Sequence, residues 1–207
     1  MKEEFKKNNF LILKKTISEE LSSFCYQYFL LKRQVAKTLF EGKHISPYTE
    51  YFGSWGDTQV PETYSHYSDI VMETLLIKIL PIMEKETGLK LNPNYSYARI
   101  YKKGDILKRH KDRFSCEIST TLNLGGDPWP IYLEPSGKEG LKGIKVDLTS
   151  GDMLVYKGNV LEHWREPFKG TNCAQVFLHY NDLKTKGSKE NIYDRRPHLG
   201  LPASLKK

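Results

Sequence analysis

Cysteine is scarce in this chain of 207 residues, and its three copies lie far apart. Cys25, Cys116 and Cys173 form no CxxC pair, so the sequence contains neither a disulfide framework nor a cysteine-rich zinc site. We expect all three to be buried as small apolar side chains.

A long apolar run is also missing. The longest candidate, residues 70–83, is interrupted by Glu73, Lys78 and Pro81, whereas a membrane-spanning helix needs about 20 consecutive apolar residues. The first residues mix both signs of charge and lack the apolar segment of a secretory signal. The sequence therefore predicts no membrane partner and a cytoplasmic location.

The composition is that of a globular chain, with 39% hydrophobic and 28% charged residues. Its length suits one domain with one well-buried core. The net charge of +7 permits weak attraction to nucleic acid, but many lysines lie in the tails and on predicted helix faces, where solvated lysine is the better interpretation.

The first part of the chain, residues 1–90, is predicted to be helical. A capping-box pattern places the N-cap of the first helix at Thr16, with a carboxylate at Glu19. Apolar residues at three- and four-residue spacing predict one buried stripe on this helix: Leu21, Phe24, Cys25, Tyr28, Leu31 and Val35. A second helix is expected from about 68 to 86, with Gly88 as its C-cap. Between the helices, 41–64 favours an irregular loop near a binding face.

Residues 94–182 change to short segments in which apolar and polar residues alternate. The segments are 95–101, 116–124, 131–134, 144–148, 153–156, 161–165 and 174–180, and glycine-containing turns separate most of them. This pattern predicts an antiparallel sandwich or barrel. We therefore expect a single domain over 1–183, with a helical part and a β core, followed by a polar, loosely packed C-terminal tail at 184–207.

One histidine–carboxylate pair stands out in the β region. His110 and Asp112 are two residues apart, so in an extended strand both side chains leave the same face. A second histidine, His163, follows a later Gly-Asp turn and strand, and a sandwich can bring it beside the pair. Two imidazoles and one carboxylate leave three positions of an octahedral ion open, as in non-heme iron(II) oxygenases. Alone, a His-x-Asp pair is a weak signal, and its simplest alternative is a surface turn.

The order of these features resembles a known family. An aromatic strand, a Gly-Asp turn, His-x-Asp, several strands, a second Gly-Asp turn and a histidine occur together within 97–180. This stretch resembles the catalytic core of the iron(II)/2-oxoglutarate-dependent dioxygenases, and is most similar to their prolyl 4-hydroxylase-like branch. The resemblance implies an α+β fold with a mainly β core, a double-stranded β-helix or jelly roll, with N-terminal supporting helices.

The resemblance also implies a co-substrate site. In this family a basic residue at a fixed distance after the second histidine binds the distal carboxylate of 2-oxoglutarate, but here that position is Cys173. Arg165 shares the strand and face of His163 and is our replacement candidate, with Arg99 and Lys169 in reserve. The alternative role of Arg165 is a salt bridge with Glu162 or Glu166.

Two further residues match co-substrate positions of the family. Tyr101 corresponds to a tyrosine whose hydroxyl often contacts 2-oxoglutarate, and Thr121 is a candidate for the same role. The alternative for Tyr101, a core aromatic, carries equal weight.

The implied activity is oxidation by iron(II), 2-oxoglutarate and dioxygen, with ascorbate as an optional reductant. The usual outcome is hydroxylation, here of a protein side chain such as proline or of a small molecule. A nucleic-acid substrate is disfavoured because the paired arginines of the dealkylating branch are missing. Two alternatives stay open: a catalytically silent jelly roll that binds a partner, and a non-heme iron oxygenase that does not use 2-oxoglutarate.

Overall fold

Two long helices in the first half of the chain form one layer of the protein, whose computed structural model describes residues 2–207. The elements of this part are helix α1 (Lys2–Asn8), strand β1 (Phe10–Leu13), helix α2 (Glu19–Glu41), strand β2 (Tyr64–Tyr67) and helix α3 (Ile70–Thr87). Helix α3 ends as predicted at Gly88, whose φ of 76° is the left-handed conformation that glycine adopts without strain.

The predicted start and buried stripe of the first long helix are partly wrong. Its N-cap is Ser18 instead of Thr16, and the Ser18 hydroxyl accepts a hydrogen bond from the N–H of Leu21 at 3.2 Å. Phe24 and Leu31 are 62% and 66% exposed, and Val35 is also exposed. The buried face is instead formed by smaller residues and one phenylalanine: Ser22, Cys25, Phe29 and Ala36. The small residues allow α2 to lie close to the sheet, and the Ser22 hydroxyl lies 3.0 Å from the backbone oxygen of Leu124.

The remaining strands form two antiparallel sheets. They are β3 (Leu91–Lys102), β4 (Leu107–His110), β5 (Ile118–Gly126), β6 (Ile131–Leu133), β7 (Ile144–Val146), β8 (Met153–Lys157), β9 (His163–Arg165) and β10 (Asn172–Asp182). The six-stranded sheet has the order β1-β8-β5-β10-β3-β2, and the four-stranded sheet has the order β4-β9-β6-β7. The sandwich prediction is thereby confirmed, although the sequence pattern missed β4.

Alternation along the strands divides the core into two layers. In β8, Met153 and Val155 pack in the cluster that contains α2 and α3, whereas Leu154 and Tyr156 pack in a cluster with β6 residues of the small sheet. The helices thus cover one face of the large sheet. Its other face points toward the small sheet, and the residues considered for chemistry lie on that side.

The expectation of a loosely packed C-terminal tail is wrong. Arg196 is buried and its guanidinium lies 2.7 Å from the Glu73 carboxylate of α3. Asp194 is also buried and accepts hydrogen bonds from the Tyr67 hydroxyl and from Arg113. Charge pairing, which a hydrophobicity pattern does not detect, fixes this tail against the domain. Within residues 2–207, no helix has the length and apolar content to cross a bilayer.

Candidate metal centre

The backbone register brings the two predicted histidines together. Strands β4 and β9 are antiparallel neighbours in which His110 lies directly opposite His163, and the two ring centroids are 4.2 Å apart. Asp112 follows two residues after His110, and its Oδ1 lies 3.6 Å from Nε2 of His110 and 3.5 Å from Nε2 of His163. One ligand atom from each of the three residues therefore lies within 4.8 Å of the other two.

Backbone carbonyl groups orient both imidazoles for metal binding. Nδ1 of His110 lies 2.8 Å from the carbonyl oxygen of Lys108, and Nδ1 of His163 lies 3.0 Å from that of Leu161. Because a carbonyl only accepts, each Nδ1 carries the hydrogen and each Nε2 presents a lone pair toward Asp112. Burial, together with the neighbouring His163, lowers the pKa of His110, so its imidazole is neutral, the form that binds metals.

The Asp112 carboxylate is held ionised and fixed in place. Burial raises its pKa, but the pKa lies well below its usual range, and a 2.7 Å hydrogen bond from the Ser119 hydroxyl favours the ionised form. The Asp112 N–H donates to the carbonyl of Gly158 at 2.8 Å. A Cβ atom at Gly158 would lie 2.2 Å from Oδ2 of Asp112, so only glycine leaves room for this carboxylate.

A second group of metal-binding side chains shares Asp112 and lies deeper. It contains Cys116 and His179, and its donor atoms also lie within 4.8 Å of one another. Burial raises the pKa of the Cys116 thiol well above its ordinary range, and burial lowers that of His179 to about 4. A protonated thiol is a poor ligand. The first group therefore fits a metal better.

The three predicted ligands line a cavity of about 170 Å³ between the sheets. The other lining residues are mostly aromatic, apolar or able to hydrogen-bond: Gln59, Tyr95, Tyr97, Arg99, Leu107, Cys116, Ile131, Tyr156, Phe177 and His179. A largely apolar, aromatic wall with few polar groups is typical of sites that bind small ligands or single side chains.

Arg165, the predicted co-substrate residue, is buried between the sheets and 1% exposed. One of its Nη atoms donates to the carbonyl of Trp129, the other lies 3.3 Å from the Thr121 hydroxyl, and Nε has no hydrogen-bond partner among the described residues. The suggested salt bridges are not formed: Glu162 pairs with Arg109, and Glu166 is the acceptor for the Trp164 indole N–H. Burial lowers the pKa of Arg165.

The structure also places the other predicted co-substrate residues around Trp129. Tyr101 packs edge-on against Trp129 with ring centroids 4.7 Å apart, and Arg165 lies over the same ring at 5.0 Å. Thr121 contacts Arg165 and donates to the Gln175 amide oxygen at 3.1 Å. Cys173, which occupies the position where the family usually has the basic residue, is buried. Its Sγ accepts a hydrogen bond from Nε2 of Gln175 at 3.2 Å. The three predicted residues therefore form one group with Trp129, and none of the three is among the residues that line the cavity.

The reserve candidates have other environments. Lys169 is exposed. Arg99 is buried and ion-paired with Asp57, a residue of the irregular 41–64 loop, and its Nη2 also donates to the Gln59 amide oxygen at 2.7 Å. Gln59 in turn lies 3.0 Å from Nε2 of His110. Sequence reasoning predicted the loop near the site but missed both loop residues, because no periodicity marks single contacts made by an irregular segment.

The comparisons with known proteins identify structures of the same shape. The sequence matches no protein-family model and no curated protein. Among solved structures, a Pseudomonas putida prolyl-4-hydroxylase is 14% identical, with a TM-score of 0.57 over 87% of this chain and 96% of that chain. HygX from Streptomyces hygroscopicus with nickel, 2-oxoglutarate and hygromycin B bound is 15% identical, with a TM-score of 0.60 over 87% and 85%.

A third structure is a prolyl hydroxylase from Trichoplax adhaerens in complex with a hypoxia inducible factor peptide fragment. It is 13% identical and has a TM-score of 0.58 over 86% of both chains. At these identities the likeness concerns the fold. The chain therefore has the same double-stranded β-helix fold as these structures.

Proposed function

We propose that this protein is an iron(II)- and 2-oxoglutarate-dependent dioxygenase in which His110, Asp112 and His163 bind the metal. The observation that carries the proposal is the convergence of two Nε2 lone pairs and one ionised carboxylate on one cavity wall, with donor atoms within 4.8 Å of one another. Two nitrogens and one oxygen on one side of an octahedral ion leave the cavity side open for other ligands.

The donor set fits iron(II) by its chemistry. Neutral imidazole and carboxylate suit first-row divalent metals, and each histidine is oriented by a backbone carbonyl that also raises its basicity. HygX, of the same fold, was solved with nickel and 2-oxoglutarate bound. We assign the same pair of ligands to this chain, with iron(II) as the working metal, dioxygen as the second co-substrate and ascorbate as an optional reductant.

Arg165 is the proposed partner of the distal carboxylate of 2-oxoglutarate. It is a fully buried guanidinium with an unpartnered Nε and no acidic partner among residues 2–207, so a carboxylate would supply the missing counter-charge. Thr121 accepts from Arg165, and its hydroxyl would donate to the same carboxylate in place of the Gln175 amide oxygen. We assign Tyr101 to the wall of this pocket through its contact with Trp129.

Bound iron(II) would supply the oxidation of 2-oxoglutarate by dioxygen to succinate and carbon dioxide, coupled to hydroxylation of the primary substrate. The residues of this chain bind and orient the reactants. Arg165 and Thr121 fix one end of the co-substrate, the histidine pair fixes the metal, and the aromatic residues Tyr95, Tyr97 and Phe177 line the cavity and limit the access of water.

For the primary substrate we propose a protein side chain such as proline, or a small molecule. The proposal is supported by the largely aromatic lining of the cavity, which suits contact with a ring or an apolar side chain. The solved structures of the same fold include a complex with a peptide and a complex with hygromycin B. Exposed Tyr48 and Tyr51 of the 41–64 loop are available for contacts with a larger substrate.

The test is anaerobic reconstitution with iron(II) and 2-oxoglutarate. A weak visible charge-transfer band should appear with wild-type protein and be absent from His110→Ala and Asp112→Ala. The exposed His198 is the matched control, and His198→Ala should retain the band. Absence of the band and of uncoupled succinate release in wild type would rule out this function.

A further inference from the structure

A turn of the 41–64 loop contacts the predicted metal ligands through Gln59, which lines the same cavity. Its Gln59 side chain has two contacts that point in opposite directions. The amide oxygen accepts from Nη2 of Arg99 at 2.7 Å, and the amide nitrogen lies 3.0 Å from Nε2 of His110. The carboxamide thus lies between a buried guanidinium and a nitrogen that the proposed metal requires.

The orientation of this carboxamide is fixed by chemistry. A guanidinium only donates, so the group facing Arg99 must be the oxygen and the NH₂ must face His110. Because Nδ1 of His110 donates to the Lys108 carbonyl, Nε2 is an acceptor and Gln59 donates to it. A metal ion on His110 needs the same lone pair. Metal binding must therefore break the Gln59–His110 hydrogen bond.

The backbone of the turn is anchored independently of this bond. The Asp57 carboxylate accepts from Nε of Arg99 at 2.7 Å and from the Tyr97 hydroxyl at 2.6 Å, and its other oxygen accepts from the Gln59 N–H at 2.7 Å. The Gln59 side chain itself is exposed and has room to rotate. When the metal binds, the turn can stay in place while the NH₂ group moves to a new acceptor.

We propose that Gln59 is a positioning residue for the ligand on the metal. Its NH₂ group holds His110 while no ion is bound and donates to the metal-binding carboxylate of the 2-oxo acid once the ion is bound. The second part rests on the proposed function. Arg99 strengthens the donor, because a guanidinium at the amide oxygen polarises the carboxamide. The two proposals thus assign a positively charged group to each carboxylate of the co-substrate, Arg165 to one and Arg99, acting through Gln59, to the other.

The experiment uses Gln59→Leu, Gln59→Glu and the matched control Thr58→Ala, which changes an exposed neighbour in the same turn. Nickel binding to the metal-free protein is measured by calorimetry, followed by 2-oxoglutarate binding to the nickel-loaded protein. Gln59→Leu should bind nickel about two- to tenfold more tightly, because no hydrogen bond is lost, and 2-oxoglutarate about tenfold more weakly.

The Gln59→Glu variant separates positioning from the structure of the turn. Its new carboxylate would keep an oxygen for Arg99, so the turn stays anchored, but it presents an oxygen in place of the NH₂. Gln59→Glu should therefore bind nickel more tightly than wild type and 2-oxoglutarate more weakly than Gln59→Leu. Thr58→Ala should match wild type in both measurements.

Two results would overturn the proposal. If Gln59→Leu and wild type bind nickel equally, Gln59 does not compete for His110. If they bind 2-oxoglutarate equally, Gln59 does not position it. Failure of wild type to bind nickel or 2-oxoglutarate would refute the proposed function together with this inference, whereas normal wild-type binding with unchanged variants would refute this inference alone.

Discussion

Two buried arginines, one behind the large sheet and one between the sheets, have opposite environments. Arg196 lies 2.7 Å from Glu73, whereas Arg165 has no carboxylate partner among residues 2–207 and leaves its Nε without a hydrogen bond. A buried cation without a counter-charge is costly. Arg196 supports the fold, whereas Arg165 is the residue that we propose binds a carboxylate of the co-substrate.

The largest expected effect concerns the structural arginine. Arg196→Met leaves the Glu73 carboxylate buried and unpaired, so the free energy of unfolding should fall by about 3–5 kcal/mol. Urea denaturation measures the change. The double variant Glu73→Leu with Arg196→Met removes both charges and should recover most of the loss. A loss below about 1 kcal/mol in the single variant would contradict the assigned role of this pair.

Substitution of Arg165 should have the opposite effects on stability and on ligand binding. Arg165→Met should leave the stability unchanged or higher, since an unpaired buried charge is replaced by an apolar side chain of similar length. Binding of 2-oxoglutarate to the metal-loaded protein should weaken about a hundredfold, the effect of losing hydrogen bonds to a charged group. Lys169→Met, at an exposed lysine, is the control and should bind normally. A large loss of stability with normal binding would make Arg165 structural as well.

Gly158 tests how closely the protein packs around the Asp112 carboxylate. The Cβ atom that Gly158→Ala adds would lie only 2.2 Å from Oδ2 of Asp112, so the carboxylate must move. We expect metal affinity to fall about ten- to a hundredfold, as when a supporting group of a metal ligand is lost. Calorimetry with nickel measures it. The control is Gly56→Ala, where the nearest atom to the new Cβ is 3.9 Å away. Equal affinities would show that Asp112 tolerates the shift.

The smallest effect concerns Asp57, the partner of the third buried arginine, Arg99. Burial raises the pKa of Asp57, but Arg99 and the Tyr97 hydroxyl outweigh burial and lower it below the ordinary value. A carboxyl whose pKa is lowered on folding stabilises the protein above its unfolded pKa, and this contribution is lost as the pH falls through the folded pKa. Wild type should therefore lose stability below about pH 4 more steeply than Asp57→Asn. If wild type and Asp57→Asn lose stability in parallel as the pH falls, the Asp57–Arg99 ion pair contributes little to the free energy of unfolding.

The sequence predicted the parts of the site that depend on strand geometry. The two-residue spacing of His110 and Asp112 predicted that their side chains lie close together, although Asp112 lies just beyond the end of β4. Arg165 follows His163 on one face of β9. The pairing of β4 with β9 supplied what the pattern could not, because it depends on register between distant strands. Asp57 and Gln59 were missed because single contacts from an irregular loop leave no periodic signal. The face of α2 was partly mispredicted because small residues, instead of large apolar ones, make the closest contact with the sheet.

The contact of Arg113 with Asp194 links the candidate metal ligands to the segment that follows β10. Arg113 directly follows Asp112, and its two Nη atoms lie 2.9 and 2.8 Å from the two carboxylate oxygens of Asp194. Asp194 also forms a salt bridge with Lys206 at 2.6 Å. Arg113 and Asp194 are 81 positions apart, so their ion pair closes a long loop of the chain. The segment next to Asp112 therefore depends for support on a contact that forms only when distant parts of the chain come together.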